Sequence, residues 1–228
     1  MSGLVTVVEH ESFTQLSMDD GKANALGFDM LAALSAGLDV AETRAKPVVI
    51  AGRAGKFSAG FDLSVMARLD AETFRLLNEG AQTALRLMRF PTPVVLAVSG
   101  HALAMGALLC LSADYRIGAQ GEFKLGLNEV AIGMTLPWFG VELARARLSE
   151  THLQAAVNLA CIYGPDEAVS AGYLDEAVLA EDLMARAQAA AEQFASLNMP
   201  AYHATKLRTR APFFERIEAA LEQDFNAA

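Results

Sequence analysis

The sequence has few of the residues that bind metal ions or form disulfides. Cysteine occurs twice and histidine four times, and no Cys, His and carboxylate cluster has the spacing of a metal site. Cys110 and Cys161 lie in apolar stretches, so we expect buried free thiols in a reduced compartment. We therefore expect neither a bound metal ion nor a disulfide.

The sequence also lacks a long apolar run and an excess of basic residues. Hydrophobic residues make up 53%, but no run reaches the roughly 18 residues of a membrane span. The start, Met1-Ser2-Gly3, does not resemble a signal peptide, and the net charge of −9 argues against nucleic acid as a partner. We expect a cytoplasmic protein that binds neither membranes nor nucleic acid, although a local basic pocket can still hold an anionic ligand.

Internal repeats, low-complexity linkers and a Ser-His-Asp set typical of a protease are not recognisable either. With 228 residues, the chain is long enough for one domain of generous size, or for a domain with a small appendage. We divide it into a core domain, residues 1–195, and a C-terminal helical region, residues 196–228.

The most informative stretch runs from Pro93 to Gly133. An apolar run, Val94 to Val98, precedes a glycine-containing turn and an unbroken apolar segment, Met105 to Ala113, which predicts a strand, a tight turn and a buried helix. The first amides of a helix have no partner within it and carry partial positive charge. This helix start can therefore bind an oxygen that becomes negative during a reaction.

Farther along, Glu129 lies between apolar residues in GLNEVAIG, residues 126–133. In apolar surroundings the pKa of a carboxyl group rises, which suits a general base. The alternative is a surface charge on a loop, which the apolar flanks Val130, Ala131 and Ile132 make less favourable.

A second stretch has a similar pattern. An apolar strand, Val48 to Ala51, is followed by a glycine-rich turn and then by Ser58-Ala59-Gly60-Phe61. Two strand-turn units of this kind can aim two backbone amides at one oxygen.

Four segments together resemble the crotonase superfamily, also called the enoyl-CoA hydratase/isomerase family. They are Lys22-Ala23-Asn24-Ala25-Leu26, FSAGFDL at 57–63, SGHALAMGALLCLSADYRI at 99–117, and GLNEVAIG at 126–133. The resemblance covers the chain from about residue 4 to at least residue 180. It implies an α/β crotonase spiral of ββα units with a helical C-terminal region, assembled as a homotrimer or a dimer of trimers.

The resemblance also implies an acyl-CoA thioester substrate and an oxyanion hole that stabilises an enolate. CoA is part of the substrate, and no separate cofactor is expected. The two donors would be the backbone amides of Phe61 and Met105, with Glu129 as the base. Met105 stands where the family usually has glycine, so we expect its side chain to narrow the pocket.

Several further residues are expected, by the same resemblance, to contact the substrate or its CoA moiety. They are Lys22, Ala23, Ala25, Ala59, Gly60, Asp62, Leu63, Leu108 and Trp138. From the residues alone, Lys22 could equally be an exposed lysine, Asp62 is a good helix cap, and Trp138 could be a core residue. The family's Pro-x-x-basic pattern is replaced by Asp-Asp-Gly-Lys at 19–22, without a second basic residue.

Leu108 decides between the activities of the family. Hydratases carry a glutamate at this position, which works with the residue that corresponds to Glu129 to activate a water molecule. A single carboxylate suffices to move a proton between C2 and C4 of a 3-enoyl thioester, so we predict an isomerase of fatty acid metabolism. The alternatives are an enoyl-CoA hydratase, which is a lyase, and an acyl-CoA-binding protein without catalysis.

Hydrophobic periodicity and the residues that start and stop helices also predict helices outside these motifs. They are expected at Phe28 to Arg44, Val65 to Phe90, Leu148 to Tyr163, Leu183 to Leu197 and Phe213 to Phe225. His101 is expected to be a structural hydrogen-bonding residue rather than a base. Lys206 is a candidate for contact with the CoA of a neighbouring subunit, or else a solvated cation.

Overall fold

A computed structural model describes residues 3–225 of the chain. Nine strands are found in this part. They are β1 (Val5–Glu9), β2 (Thr14–Met18), β3 (Val48–Ala51), β4 (Gly55–Ser58), β5 (Val94–Val98), β6 (Gly100–Leu103), β7 (Tyr115–Ala119), β8 (Leu125–Gly126) and β9 (Glu176–Val178).

Nine α-helices and one 3-10 turn complete the described part. The helices are α1 (Phe28–Arg44), α2 (Leu63–Met66), α3 (Ala71–Arg89), α4 (Met105–Ser112), α5 (Trp138–Arg147), α6 (Glu150–Val157), α7 (Pro165–Ala171), α8 (Leu183–Ala195) and α9 (Met199–Phe225). The 3-10 turn spans Val130–Ile132, directly after Glu129.

The strands form two sheets. The larger sheet has the order β1-β2-β3-β5-β7-β9, with β1 antiparallel to β2 and every other pair parallel. The smaller sheet has the order β4-β6-β8, all parallel. Because β3 is followed by β4, β5 by β6 and β7 by β8, each pass of the chain contributes one strand to each sheet. This is the repeated ββ unit of the crotonase fold, and α2 and α4 complete it after the first two passes.

The central strands of the larger sheet are buried on both faces. Every residue of β3 and β5 is buried, as expected for parallel strands covered on both sides by helices. Residues on one face of the sheet pack with α1, α3, α4 and α5, and those on the other face pack with α8. The carboxyl ends of β4 and β6 lead directly to Phe61 and Met105, so the small sheet places both predicted amide donors at one edge.

Three helix predictions differ from the structure. The helix expected over residues 65–90 is interrupted, because α2 ends at Met66 and Asp70 caps a new helix, α3, that begins at Ala71. The helix expected over residues 148–163 ends at Val157, because Ala160 adopts a positive φ of 50° and Tyr163 forms a bridge with Leu125. The C-terminal helix begins at Met199 and continues through Pro212. Its buried side is formed by Lys206, Phe213, Ile217 and Ala220, and this packing holds the helix together across a residue that cannot donate a backbone hydrogen bond.

The division into residues 1–195 and 196–228 stays a prediction. Residues 226–228 lie outside the described residues. Within residues 3–225, no helix combines the length and the apolarity that a membrane span requires.

Candidate active site

The two predicted amide donors lie where two segments of backbone approach each other closely. Gly60 has φ +94°, and a Cβ atom built on it would lie 2.9 Å from Ala104 Cβ and 3.3 Å from Met105 N. Only glycine accommodates both the positive φ and this approach. The amide of Phe61, the next residue, is thereby brought beside the first turn of α4.

Both amides lack a hydrogen-bond acceptor within residues 3–225. Met105 is the first residue of α4, so its amide has no intrahelical partner. Phe61 forms a parallel bridge with Leu26, in which the amides of Leu26 and Asp62 donate and the amide of Phe61 does not. Two unpaired donors at the carboxyl edge of the small sheet are suited to hold one oxygen atom.

Met105 does not narrow the space in front of these amides. Its side chain is 1% exposed, and its terminal methyl lies near Gly80 of α3, 3.4 Å from the position that a Cβ would occupy there. The side chain therefore fills the gap between α3 and α4. The expectation that methionine would obstruct the pocket is wrong, because the start of α4 turns the side chain into the core.

The conformation just before α4 is strained. Ala104 has φ +49° and ψ −124°, in a region that favours glycine. Its amide donates to Gly126 O and its carbonyl accepts from the amide of Leu108. These two bonds hold the turn, and with it the Met105 amide, in place.

A cavity of about 240 Å³ adjoins the two segments that carry these amides, since Phe61 and Ala104, the residue before Met105, both line it. It is lined by Ala59, Phe61, Leu63, Met66, Leu77, Ala104, Leu108, Asn128, Glu129, Ile132, Met134, Thr135, Pro137 and Phe139. Glu129 carries the one ionisable side chain among these lining residues. The remaining polar side chains are those of Asn128 and Thr135, so the cavity is mainly apolar.

Glu129 is positioned by β8 and by the 3-10 turn. Its carbonyl accepts hydrogen bonds from the amides of Ile132 and Met134, which closes the turn behind it. The residue is only 8% exposed, and its Oε2 atom has no hydrogen-bond partner among the described residues. Burial raises the pKa of the carboxyl group to about 6, the direction expected for a desolvated acid.

The burial of Glu129 is only partly due to the apolar flanks that the sequence suggested. Val130 is 47% exposed and does not line the cavity, whereas Ile132 lines it and is 54% exposed. Leu108 from α4 and Phe139 from α5 line the same space. The predicted desolvation is found, and residues distant in sequence contribute to it.

The segment predicted to bind CoA lies alongside the strand that leads to Phe61. The carbonyl of Ala23 accepts from the amide of Ala59, and the side chain of Asn24 donates to the carbonyls of Met18 and Phe57. Asn24 takes a positive φ of 51°. Sequence reasoning quoted Asn24 only as part of a motif, yet it is the residue that fixes this segment against the site.

Lys22 is exposed at the end of this segment and has a basic neighbour. Arg53 donates to the carbonyl of Lys22 at 2.7 Å and pairs with Asp19 at 3.1 Å. The amide of Ala25 is held by Asp20. A basic residue that the local sequence does not show, Arg53, thus lies next to Lys22 although it is 31 positions away in the chain. The contact of Lys22 with CoA stays a prediction.

Three further residues that were predicted to contact the substrate differ in their position relative to the cavity. They are Asp62, Leu63 and Trp138. Asp62 caps α2 by accepting hydrogen bonds from the amide and hydroxyl of Ser64, which lower the pKa of its carboxyl group. Leu63 lines the cavity but is 70% exposed. Trp138 does not line this cavity; it is 55% exposed and lines an adjoining one.

Two other basic residues have structural contacts. His101 Nδ1 accepts a hydrogen bond from the amide of Lys124, and the ring packs edge-on against Phe123. Lys206 is 5% exposed, and its Nζ donates to Asp114 and to the carbonyls of Leu87 and Phe90. Lys206 is therefore buried within its own chain. Both expectations for it are wrong: it is neither a solvated cation nor available to contact the CoA of a neighbouring subunit.

Comparison with known proteins agrees with this fold. The profile of the enoyl-CoA hydratase/isomerase family matches residues 9–227. A solved structure of an enoyl-CoA hydratase/isomerase family protein from Pseudomonas syringae has a TM-score of 0.97 at 40% identity, over 99% of this chain and 98% of that one. The apo structure of an enoyl-CoA isomerase from Mycobacterium tuberculosis has a TM-score of 0.94 at 40% identity, with both chains covered completely.

Relatives known by sequence carry the names of two activities. The mitochondrial enoyl-CoA delta isomerase 1 of Homo sapiens is 28% identical over 78% of this chain and 59% of its own length. A probable enoyl-CoA hydratase of Bacillus subtilis is 35% identical over 54% of this chain and 49% of its own length. The chain thus spans about half the length of these relatives. The profile match and the shared spiral of ββ units show that this chain belongs to the enoyl-CoA hydratase/isomerase family.

Proposed function

We propose that this protein moves the double bond of a 3-enoyl-CoA to position 2, with Glu129 as the single acid-base residue. The observation that carries the proposal is the composition of the cavity: Glu129 is the one ionisable residue among those described as lining it, and Leu108 lines the same space. A 1,3-proton shift needs one group that takes a proton and returns it. It does not need a second carboxylate to hold water.

The chemistry follows from the position of the groups. The thioester oxygen would accept hydrogen bonds from the amides of Phe61 and Met105, which acidifies the hydrogens at C2. Glu129 removes one of them, and the negative charge of the resulting dienolate is stabilised by the same two amides. The protonated Glu129 then returns the proton to C4, which leaves the double bond conjugated with the thioester.

The ionisation of Glu129 suits this role. A pKa of about 6 leaves the carboxylate ionised at neutral pH and more basic than an ordinary glutamate. The apolar lining keeps water away from the dienolate and strengthens the hydrogen bonds that the amides make.

The CoA moiety would extend from the cavity towards Lys22. Lys22 is exposed, and Arg53, which donates to the Lys22 carbonyl and pairs with Asp19, lies beside its backbone. We propose that these two cations attract phosphate groups despite the net charge of −9. The backbone of Ala23 and Ala25 would meet the adenine, and Ala59 and Gly60 would contact the substrate near the thioester.

Hydration of a 2-enoyl-CoA is the second candidate. The observation that favours it is Asn128, which lines the cavity beside Glu129 and whose Oδ1 has no partner within the described residues. This oxygen could hold a water molecule for Glu129 to activate. The third alternative, binding without catalysis, rested on obstruction by Met105, and that side chain points elsewhere.

A paired assay separates the candidates. Purified protein is given a 3-enoyl-CoA in one experiment and a 2-enoyl-CoA in another, and the absorbance of the conjugated thioester is followed in both. We expect a rise with the first substrate and no fall with the second. A fall with the second substrate, with a 3-hydroxyacyl-CoA as the product, would establish hydration and would identify Asn128 as the first residue to replace.

Two variants complete the test. Glu129→Gln keeps the shape of the side chain and should lower kcat by at least about 1,000-fold, with little change in the affinity for a saturated acyl-CoA. Glu122→Gln, which changes an exposed carboxylate outside the cavity, is the matched control and should leave both quantities unchanged. Full activity of Glu129→Gln would overturn the assignment.

A further inference from the structure

A cavity separate from the candidate active site lies between the ends of α3 and α5 and the middle of α9. It has a volume of about 350 Å³, and none of its lining residues lines the cavity around Glu129. The lining residues are Met88, Ala146, Arg147, Thr209, Arg210, Pro212, Phe213 and Arg216. We call this space the arginine cavity, because its three ionisable lining residues are all arginines.

The salt bridges of these arginines neutralise them incompletely. Asp114 pairs with Arg210 at 2.7 Å, but it also pairs with Lys206 at 2.8 Å. Glu142 is likewise shared between Arg216, at 2.8 Å, and a second arginine, which belongs to α5. Two carboxylates therefore serve four cations, and neither carboxylate lines the cavity.

Arg147 forms no salt bridge within residues 3–225. Its Nη2 donates to the carbonyl of Ala113 at 2.7 Å, and its buried Nε has no hydrogen-bond partner among these residues. Burial, together with the charges of Arg116 and Arg210, lowers the pKa of the Arg147 guanidinium to about 10, and two carboxylates offset this only in part. A half-buried cation among other cations is unfavourable unless an anion compensates for its lost hydration.

The remaining wall of the arginine cavity is mainly apolar. Met88, Ala146, Pro212 and Phe213 contribute hydrocarbon groups, and Thr209 contributes a hydroxyl group. The volume lies within the roughly 300–1,000 Å³ of small-molecule sites, which combine an apolar wall with a few convergent polar groups. This combination fits a small organic anion better than a bare ion, because a bare ion would leave the apolar wall in contact with water.

The donors that remain on the arginines favour a phosphate group. Arg216 donates to Glu142 from Nε, so its two Nη groups have no acceptor within residues 3–225. Guanidinium groups bind phosphate through pairs of parallel N–H donors. A phosphate monoester carries about 1.5 to 2 negative charges at neutral pH, which matches the excess of cations around the cavity.

We propose that the arginine cavity binds a small phosphate monoester. Arg147 and Arg216 hold the phosphate, and the organic group packs against Met88 and Phe213. The bound anion links the end of α5 to the middle of α9. This site goes beyond the proposed isomerisation, which uses none of these residues.

Calorimetric titration of the intact protein with phenyl phosphate, at constant ionic strength, tests the proposal. We expect one site per chain with a Kd of about 1 mM or lower. Inorganic phosphate should bind at least about fivefold more weakly, because it has no apolar group to bury. Absence of saturable binding, or equal Kd values for the two compounds, would overturn the proposal.

Thermal unfolding gives a second measurement. Phenyl phosphate at about 10 mM should raise Tm by at least about 3 °C, because a ligand that binds only the folded state stabilises it. Sodium chloride at the same ionic strength should not produce this rise. An equal rise with sodium chloride would mean that the effect is general screening of charge, and would contradict a specific site.

Variants identify the residues that hold the phosphate. Arg147→Gln and Arg216→Gln should each weaken the binding of phenyl phosphate by at least about tenfold. Arg216 is exposed, so its replacement tests the site even if the loss of the Arg147 contact with Ala113 lowers the stability. Arg145→Gln is the matched control, since Arg145 is the other arginine that pairs with Glu142 but does not line the cavity.

The control should keep its Kd within about twofold of that of the unmodified protein. An equal loss of affinity in all three variants would show only a general attraction between anions and positive charge, and would overturn the site.

Competition separates this site from the binding of CoA. CoA carries a phosphate monoester, whereas dephospho-CoA does not, and neither compound should displace phenyl phosphate. Displacement by CoA alone would mean that the arginines hold the phosphate of the acyl-CoA, and the proposal would be wrong. None of these measurements needs turnover, so failure of the proposed isomerisation would leave their outcome unchanged.

Discussion

Glu129 combines a buried carboxylate with solvent-exposed neighbours. Burying an ionised carboxylate in an apolar cavity is unfavourable unless a hydrogen bond or an opposite charge compensates for the lost hydration. The Oε2 atom of Glu129 has no hydrogen-bond partner in the described part of the chain. Groups of this kind are typical of catalytic sites, where a perturbed pKa serves the reaction. Two predictions follow from its raised pKa.

The first concerns the pH dependence of activity. Only ionised Glu129 can take a proton from C2, so kcat/KM should fall tenfold for each pH unit below a pKa of about 6. The measurement is a pH–rate profile from pH 4.5 to pH 8. An acyl-pantetheine thioester, which has no phosphate, separates the titration of Glu129 from that of CoA. A profile that stays flat down to pH 5 would contradict the role.

The second concerns stability. The pKa of Glu129 is raised in the folded state, so its stabilising contribution is present below its unfolded pKa of about 4.5 and is lost as the pH rises through about 6. The lost free energy is about 2 kcal/mol. Glu129→Gln should therefore stabilise the protein by up to about 2 kcal/mol at pH 8 and by much less at pH 4.

Urea denaturation at the two pH values measures this difference, with Glu122→Gln as the control. An equal effect of Glu129→Gln at both pH values would mean that the side chain is not desolvated in solution. Gain of stability on loss of a catalytic group is the usual sign of a site built for function.

At the scale of elements, the position of Phe61 depends on α3. A Cβ on Gly80 would lie 2.4 Å from Cζ of the Phe61 ring, so the absence of a side chain at Gly80 makes room for that ring. The backbone of Phe61 is held separately, by its bridge with Leu26. A helix that is distant in sequence thus accommodates the side chain of the residue that carries one of the two proposed oxyanion donors.

This dependence predicts the effect of Gly80→Ala. Alanine improves the helix propensity by about 1 kcal/mol, but displacing a packed ring costs about 1–3 kcal/mol, so a net loss of stability is expected. Because Phe61 lines the cavity, its displaced ring should disturb the placement of the substrate, and kcat/KM should fall by at least about tenfold. Enzyme assay and urea denaturation check both effects.

Gly37→Ala on α1 is the control for this prediction. Its new Cβ would meet Leu16 Cδ2 at 2.8 Å, the end of a flexible side chain, so little change in kcat/KM is expected. If both variants lowered the activity equally, the effect of Gly80→Ala would be due to general loss of packing.

At the scale of the whole molecule, α9 is anchored at two points along its length. In its first half, Lys206 and Arg210 both donate to Asp114, which also accepts from the amide of Val94. Near its end, Asp224 caps α5. The helix α9 therefore links the start of β5, at Val94, to the start of α5, at Trp138 and Phe139.

Replacing Lys206 by alanine should lower the stability of the protein, because it removes contacts that hold α9 against the core. Burial lowers the pKa of Lys206 to about 8, which shows that its charge is costly in this position. Lys206→Ala leaves the Phe90 carbonyl without its side-chain donor, leaves the Leu87 carbonyl with the amide of Phe90 alone, and removes one partner of Asp114. It should destabilise the protein by about 3 kcal/mol. Arg208→Ala, an exposed cation on the same helix, should change the stability by less than about 0.5 kcal/mol. Equal and small effects in denaturant titrations would show that α9 contributes little to the fold.

Much of the fold was accessible from local patterns. The strands β3 and β5 and the helix α1 begin and end where apolar runs, periodicity and glycine predicted them, because these signals act over neighbouring residues. The predicted bounds of α6 and α9 are wrong where contacts with residues distant in sequence determine the structure. Tyr163 lies beyond the end of α6 and pairs with Leu125. In α9, packing against the core allows the helix to continue past Pro212.

For the site, the sequence by itself determined the chemical groups: a carboxylate at Glu129, a leucine at 108, and two strand-turn units that end in free amides. Only the tertiary structure decided what surrounds them. Arg53 beside Lys22, the burial of Lys206, the turning of Met105 into the core and the two adjoining cavities all depend on contacts between distant segments. The physical reason is that a residue's type and local pattern are properties of the chain, whereas its burial and its neighbours depend on which surfaces meet when the chain folds.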